Sequence, residues 1–536
     1  MRLSCIIASN FLILLVSMLK SFSQEQVNII RSDFPPDFLF GAATSAYQVE
    51  GAVLEDGRSL SNWDIFSHIE GNVADGSNAY IADDHYHRYL EDIEIMHSLG
   101  LTAYRFSISW SRILPRGRDG PVNKVAVQFY RKIIYNLLTR GIHPFVTLFH
   151  FEYPQELEDR FGGWLSPLMQ EEYLHFAETC FAYFGDQVKY WITINEPNLF
   201  SEMAYERANY PPARCSPPFG DCVSGNSDVE PLIVVHNMLL AHAKAAKLYR
   251  ERFKASDILM QSKVDGVLSI AVCAFMYVPM TDGEKDKAAA DRALAFNVAW
   301  TLDPLVFGDY PPEMRSIHGP ELPSFSAEER VLLRDSIDFI GINHYGTLYA
   351  KDCTHSVCVC NISSCVQGSD RAIRGFTYTG GERDGVPIGE RTGMPRFFVV
   401  PRGMEEIVQY VKDRYNNKTM IITENGYASP GNEENDFVHD EKRIQYHQSY
   451  LAYLAQAMRK EADVQGYFVW SLIDNFEWAS GYGPKFGLYH IDRPTLNRIP
   501  KNSARWYGDF LSNCSLVDAS IIQSQYKEKQ DIMMCM

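Results

Sequence analysis

The stretch YWITINE, Tyr190 to Glu196, reads as a buried strand that ends abruptly in polar side chains. Aromatic and β-branched residues fill its first five positions, and Asn195 and Glu196 close it. Parallel-strand barrels assemble their sites from the carboxyl ends of the strands, so a run of this form suits a barrel enzyme. Working outward, eight such runs appear: Leu39 to Glu50, Leu101 to Trp110, Ile142 to His150, Tyr190 to Glu196, Val267 to Met276, Ile337 to Tyr345, Met420 to Glu424 and Val464 to Leu472. Helix-like stretches separate them. Between the first two, Tyr86, Tyr89, Leu90, Ile93, Met96 and Leu99 fall at helical spacing, with Gly100 as a stop.

The polar residues decide between this and other alternating architectures. Gln48 closes the first run, Arg105 lies in the second, and His150 ends the third. Asn343 and Tyr345 end the sixth, Glu424 the seventh, and Trp470 lies in the eighth. Any one of them could cap a helix, but seven runs so marked are hard to explain as capping. The expected fold is α/β, a single (β/α)8 TIM barrel with extended loops, occupying residues 24–536. No linker, charge block or short repeat divides that length.

The N-terminus reads as a leader. Arg2 gives a positive start, Phe11 to Leu19 is almost wholly apolar, and Ser21 to Ser23 offers small residues for cleavage, so 1–23 is expected to be a signal peptide. A membrane anchor is disfavoured because Ser9 and Asn10 interrupt the run, and no later stretch is apolar enough to span a bilayer. Export favours disulfides. Cys215 and Cys222 bracket a short loop with two prolines and are the expected local bridge. Cys353, Cys358, Cys360 and Cys365 read as disulfides rather than as a zinc site, with the pairing open. Cys180 and Cys273 lie among apolar neighbours, as buried thiols do. Asn361, Asn417 and Asn513 head N-x-S/T triplets and are candidate glycan acceptors.

A formal net charge of −17 excludes nucleic acid as a partner, and loss of Arg2 and Lys20 with the leader would make the chain more acidic still. His85 and His87 lack a third ligand, no HExxH helix exists, and glycine-rich nucleotide loops are absent. No metal and no cofactor are therefore expected. The oligomeric state is left open.

Two carboxylates stand out: Glu196 in TINEPN (Thr193 to Asn198) and Glu424 in ITENG (Ile422 to Gly426). Paired carboxyl groups flanking a glycosidic bond are what sugar hydrolysis requires, one to protonate the leaving oxygen and one to attack the anomeric carbon. With these motifs, and from FLFGAATSAYQVEG at Phe38 to FGLYHID at Phe486, the chain resembles glycoside hydrolase family 1, in particular its plant β-glucosidases. The resemblance implies a retaining β-glucosidase with Glu196 as acid/base and Glu424 as nucleophile. It implies that Gln48, His150, Asn195, Trp470, Glu477 and Trp478 surround the glucosyl ring, Glu477 of NFEW holding its hydroxyls at positions 4 and 6. Asn343, Tyr345 and Phe486 are implied in substrate binding, and Arg105, Asn343 and Tyr345 in holding and ionising the nucleophile.

Two positions depart from the family pattern. Phe151 stands where a tryptophan is frequent and loses its indole donor, and Lys485 stands where an arginine is frequent. Enzymes for 6-phospho sugars carry a serine at Glu477, and thioglucosidases a glutamine at Glu196, so both readings are disfavoured. A transglucosidase or a non-catalytic glycoside-binding barrel on the same scaffold is the alternative. GINHYGTLYAKDC, Gly341 to Cys353, resembles the subgroup acting on monolignol glucosides such as coniferin and syringin. Phe200, Met203, Tyr205 and Tyr210 are then expected to line an aglycone cleft, in an enzyme exported to the cell wall or a vacuole.

Overall fold

The computed structural model describes residues 29–512 except 255–263, 357, 362–364, 366 and 431–436. The expected leader at 1–23 and the acceptor Asn513 lie outside the described residues. Eight parallel strands close into a barrel: β1 (Leu39–Ala43), β2 (Ala103–Ser107), β3 (His143–Phe149), β4 (Tyr190–Asn195), β5 (Val267–Cys273), β6 (Ile340–Asn343), β7 (Met420–Asn425) and β8 (Val464–Trp470). Each strand pairs with the next, and β8 returns to β1 with Leu39 opposite Gly466 and Ala43 opposite Trp470.

All eight expected runs hold a barrel strand, but several extend past its end. Leu39 to Glu50 is a strand followed by the short helix Ala46–Val49, so Gln48 sits on that helix and not on the strand. Trp110 likewise opens a short helix, Trp110–Ile113. Met276 starts a separate strand, Met276–Pro279, in a small outer sheet with Thr347–Asp352 and Thr377–Gly380. Apolar composition alone does not mark where a barrel strand hands over to the next buried element.

The helices form for readable reasons. Lys124–Leu138 is capped by the Asn123 carboxamide, which accepts from the amides of Val125 and Ala126, and turns Ala126, Phe129, Tyr130, Ile133, Ile134 and Leu137 inward. The expected helix after β1 spans His85–Ser98, and Gly100 follows it at φ +74. Tyr86, Ile93 and Met96 are buried on it, whereas Leu90 faces solvent.

The lower barrel is filled by side chains, with Phe145 packing edge-on to Phe468 and Phe339 at ring distances of 5.0 and 5.8 Å. Gly41 makes room for this plug, since a Cβ there would lie 2.5 Å from the Phe468 ring. Two residues further along their strands, Arg105 follows Ala103 and Thr147 follows Phe145 on the same inward face. The polar layer therefore stands directly on an aromatic floor. Register shifts occur between Ile192 and Asn195 on β4 and between Ile422 and Glu424 on β7. Such irregularities re-aim side chains at strand ends.

Cys215 pairs with Cys222 as expected, and the open cluster resolves into Cys353–Cys358 and Cys360–Cys365. Cys180 and Cys273 are buried free thiols. Asn361 is exposed. Asn417 instead uses its carboxamide at both ends, donating to the Glu461 carbonyl at 2.9 Å and accepting from the Asp463 amide at 3.0 Å, which ties the entries of β7 and β8 together. Among the described residues no helix is long and apolar enough to cross a membrane. His85 is bound to Asp92 at 2.8 Å inside a buried network with Arg498, which accounts for it without a metal.

Candidate active site

Glu424 sits at the end of β7, buried, and both of its oxygens are held. Arg105 Nη1 donates to Oε1, and the Tyr345 hydroxyl donates to Oε2 at 2.7 Å. Arg105 is itself fixed by three acceptors: the Thr147 hydroxyl at 3.2 Å, the Thr423 carbonyl at 3.2 Å and Asn195 Oδ1 at 2.6 Å. A guanidinium with only donors leaves no freedom in how Asn195 faces it. Asn195 therefore turns Oδ1 to Arg105 and Asn343 Nδ2, and its Nδ2 donates to His150 Nε2 at 3.2 Å. His150, held well below its ordinary pKa by burial and by the Arg105 charge, is neutral, so its remaining proton lies on Nδ1. That nitrogen has no partner among the described residues.

Glu196 follows β4 at φ +45 as the N-cap of the helix Pro197–Tyr205, with Pro197 in the first helical turn. A left-handed glutamate costs on the order of 1–3 kcal/mol and persists only where the surroundings fix it. Here its amide donates to the Ala271 carbonyl at 2.8 Å, and the Phe200 amide donates back to its own carbonyl at 2.9 Å. Burial first and the Glu424 charge second push the Glu196 carboxyl up to about 8, against the smaller lowering effects of an Asn343 hydrogen bond and the Arg105 charge, and among the described residues no ion pair holds it. Glu477 is also pushed up to about 8, by burial and then by Glu424, against the lowering effect of the Trp470 and Gln48 hydrogen bonds. Three carboxyl groups thus share one site, and only Glu424 has a cation against it.

Glu196, Glu424 and Glu477 open into one cavity of about 440 Å³, within the usual range for a small-molecule site. His150, Phe151, Tyr345, Trp470, Trp478 and Phe486 line its inner part, and the His150 ring stacks between Trp470 and Trp478 with centroids 5.9 Å from each.

A family profile of glycosyl hydrolase family 1 matches residues 30–515. The chain belongs to that family. A coniferin β-glucosidase of Pinus contorta is 48% identical over 510 residues, covering 94% of this chain and 96% of that protein. A rice protein described as a probable inactive β-glucosidase 14 (Oryza sativa subsp. japonica) is 48% identical over 530 residues, covering 98% and 99%. Among solved structures, a mutant of the rice Os3BGlu6 β-glucosidase in a covalent complex with glucose superposes with a TM-score of 0.85 at 42% identity, covering 90% and 99%.

Against the family expectation, the geometry divides the named residues into two layers. His150, Glu196, Tyr345, Glu424, Trp470, Glu477, Trp478 and Phe486 line the cavity. Gln48, Asn195 and Asn343 are fully buried behind it: Gln48 donates to Asn475 Oδ1 at 3.0 Å, to the Phe476 carbonyl at 2.8 Å and to Glu477 Oε2 at 3.5 Å, steadying Glu477 and the loop that carries it. Asn343 bonds Asn195, Thr423 and the Glu196 carboxyl but not Glu424, so it supports the nucleophile at one remove and the expected direct contact is absent. The aglycone expectation needs correction as well. Met203 and Tyr210 line the outer cavity, but Phe200 and Tyr205 point into the core, because the helix Pro197–Tyr205 turns Leu199 and Met203 to the cavity and Phe200 and Tyr205 away. Phe275, Met394 and Phe397 complete the wall, with Phe397 stacked on Tyr345 at 4.9 Å. The aromatic pair Phe397 and Phe398 in the sequence was the one available signal for that loop. Phe151 lines the cavity between Phe200, Tyr210 and Trp478 at φ +71, and Lys485 is buried with its ammonium over the Phe437 ring.

Proposed function

We propose that this family member is a retaining β-glucosidase in which Glu424 attacks the anomeric carbon and Glu196 protonates the glycosidic oxygen. The observation that carries the assignment is the asymmetry between the two carboxyls. Arg105 and Tyr345 grip both oxygens of Glu424, stabilising the anion, whereas Glu196 is buried with no ion pair among the described residues and its carboxyl is raised to about 8. In the first step a Glu424 oxygen bonds to the anomeric carbon while the bond to the aglycone breaks and its oxygen takes the Glu196 proton. Esterification removes the charge on Glu424 that had raised Glu196. Glu196 can then accept a proton from water as that water releases glucose with retained configuration. The unpartnered His150 Nδ1–H and the Glu477 carboxyl suit sugar hydroxyls.

Both carboxyls and the groups that hold them are intact here, which favours turnover even though one similar rice protein is described as inactive. A proton NMR time course on an aryl β-glucoside tests the reading: β-glucose as first product, and labelling of Glu424 by a 2-fluoro glucosyl inactivator, are expected. First-formed α-glucose would overturn it.

For the aglycone we propose phenylpropanoid glucosides of the coniferin and syringin type, supported by the pine relative and by the apolar wall of Leu199, Met203, Phe275 and Phe397. Passage of the glucosyl group to an alcohol acceptor uses the same two carboxyls, and product analysis with added acceptor measures its share. Export after removal of residues 1–23 belongs to the same proposal, and the N-terminal sequence of the mature protein tests it.

A further inference from the structure

Among the described residues, the acidic and basic side chains on the cavity wall separate along its length. Glu196, Glu424 and Glu477 lie at the sugar end, and Arg207 and Arg396 in the outer part. The neighbouring wall is neutral, made of Asn72, Asn209, Met394 and Ser480. In a chain of formal charge −17 this paired cationic wall is not what composition would supply.

The two arginines are built into place. Glu202 lies six residues beyond Glu196 on the helix Pro197–Tyr205, on the order of 9 Å further out along the axis. Its Oε1 receives Arg396 Nη1 at 2.8 Å and Arg207 Nη1 at 3.2 Å, and lies 3.2 Å from Arg374 Nη2. Arg374 also pairs with Glu206. Arg207 is bridged to Cys215, so the Cys215–Cys222 loop backs it, and the Arg396 guanidinium lies over the Phe275 ring at 5.1 Å. Three guanidinium groups face two carboxylates. Burial works against ionisation of Glu202, but Arg374, Arg396 and Arg207 outweigh it and hold its carboxyl well below the usual range. Burial pushes Glu206 up to about 7, so at mildly acidic pH the cluster carries still more positive charge. Arg396 Nε is buried with no partner among the described residues.

We propose that Arg207 and Arg396 form an anion-recognising aglycone subsite, selecting aryl β-glucosides whose ring carries a carboxylate on a short side chain. This rests on the glucosidase reading and ranks carboxylate-bearing phenylpropanoid glucosides above the neutral coniferin and syringin type, because a neutral alcohol leaves the excess cation of the outer wall uncompensated. Guanidinium groups already ordered by Glu202 and an aromatic shelf lose little freedom on receiving a carboxylate.

The test compares 4-(2-carboxyethyl)phenyl β-glucoside with its methyl ester. Two methylenes insulate the leaving oxygen from the carboxylate, so the pair differs in charge and hardly in leaving-group strength. The expected result is a kcat/KM at least about fivefold higher for the acid, a preference that shrinks as salt rises from about 20 to about 300 mM. In Arg396→Gln and in Arg207→Gln the acid-to-ester ratio should fall toward one. Arg396→Lys, which keeps the charge, should retain part of it. Because each ratio is taken on one preparation, loss of folded enzyme cancels. Turnover of both substrates at equal rates, or a preference untouched by both glutamine variants, overturns the subsite and leaves the glucosidase reading standing. Turnover of neither by the wild-type enzyme removes the glucosidase reading itself.

Discussion

The inner and outer halves of the cavity are built on different principles. The inner half is wired across the barrel: Arg105 on β2, Asn195 on β4, Asn343 on β6 and Glu424 on β7 form one hydrogen-bonded set standing on the aromatic plug. The outer half comes from a helix and loops, Leu199 to Tyr210 and Met394 to Phe397, and its contacts are largely apolar or made through one shared carboxylate, Glu202. Strand ends in a closed barrel cannot shift singly, whereas loop residues can be exchanged one at a time. The inner half should therefore decide whether the bond is cleaved, and the outer half which glucoside is chosen.

The most severe break of this contrast is Glu424→Gln, expected to lower kcat by on the order of 10⁴-fold or more for every glucoside, measured by initial rates with confirmed folding by circular dichroism. A substrate-dependent loss would place the nucleophile elsewhere. Glu196→Gln should cost about 10² to 10⁴-fold with poor leaving groups and far less with activated aryl glucosides, azide restoring deglycosylation as β-glucosyl azide. Equal slowing of both substrate types without rescue would take the role away from Glu196.

The pH dependence sharpens the same assignment. Glu196 works as an acid only while protonated, and its pKa in the free enzyme is raised to about 8, so kcat/KM should hold below that value and fall as pH rises through it. Glu477 is raised similarly, and variants separate the two. The alkaline fall should persist in Glu477→Gln and vanish in Glu196→Gln assayed on an activated aryl glucoside.

Asn195→Ala probes the wiring itself. It removes the acceptor of Arg105 and the donor to His150 together, and misplacing the nucleophile's partner should cost about 10²-fold in kcat across all substrates. The smallest effect is expected in the outer half: Met203→Ala should change kcat/KM by about tenfold or less, and unequally among coniferin, syringin and cellobiose. A uniform loss there would mean that the two halves are not independent.

The barrel and the places of both carboxylates were legible in the chain alone, because a parallel strand buried on both faces must be apolar until its carboxyl end, and a polar residue there stands out; Glu477, Trp478 and Phe486 came only from the family resemblance. YWITINE and ITENG could be read this way without neighbours. Which side chains touch the cavity and which stand behind it depends on contacts made across the folded barrel. Gln48, Asn195 and Asn343 read like contact residues, yet their partners come from strands and loops up to 429 positions away. The tertiary structure also decided the fate of Phe200 and Tyr205, since on a short helix one residue of rotation separates a cavity wall from the core. The pairing of Arg207 with Arg396 belongs to the same class. The two are distant in the chain and sit on loops without periodicity, and one half-buried carboxylate, Glu202 on the helix Pro197–Tyr205, brings their charges together.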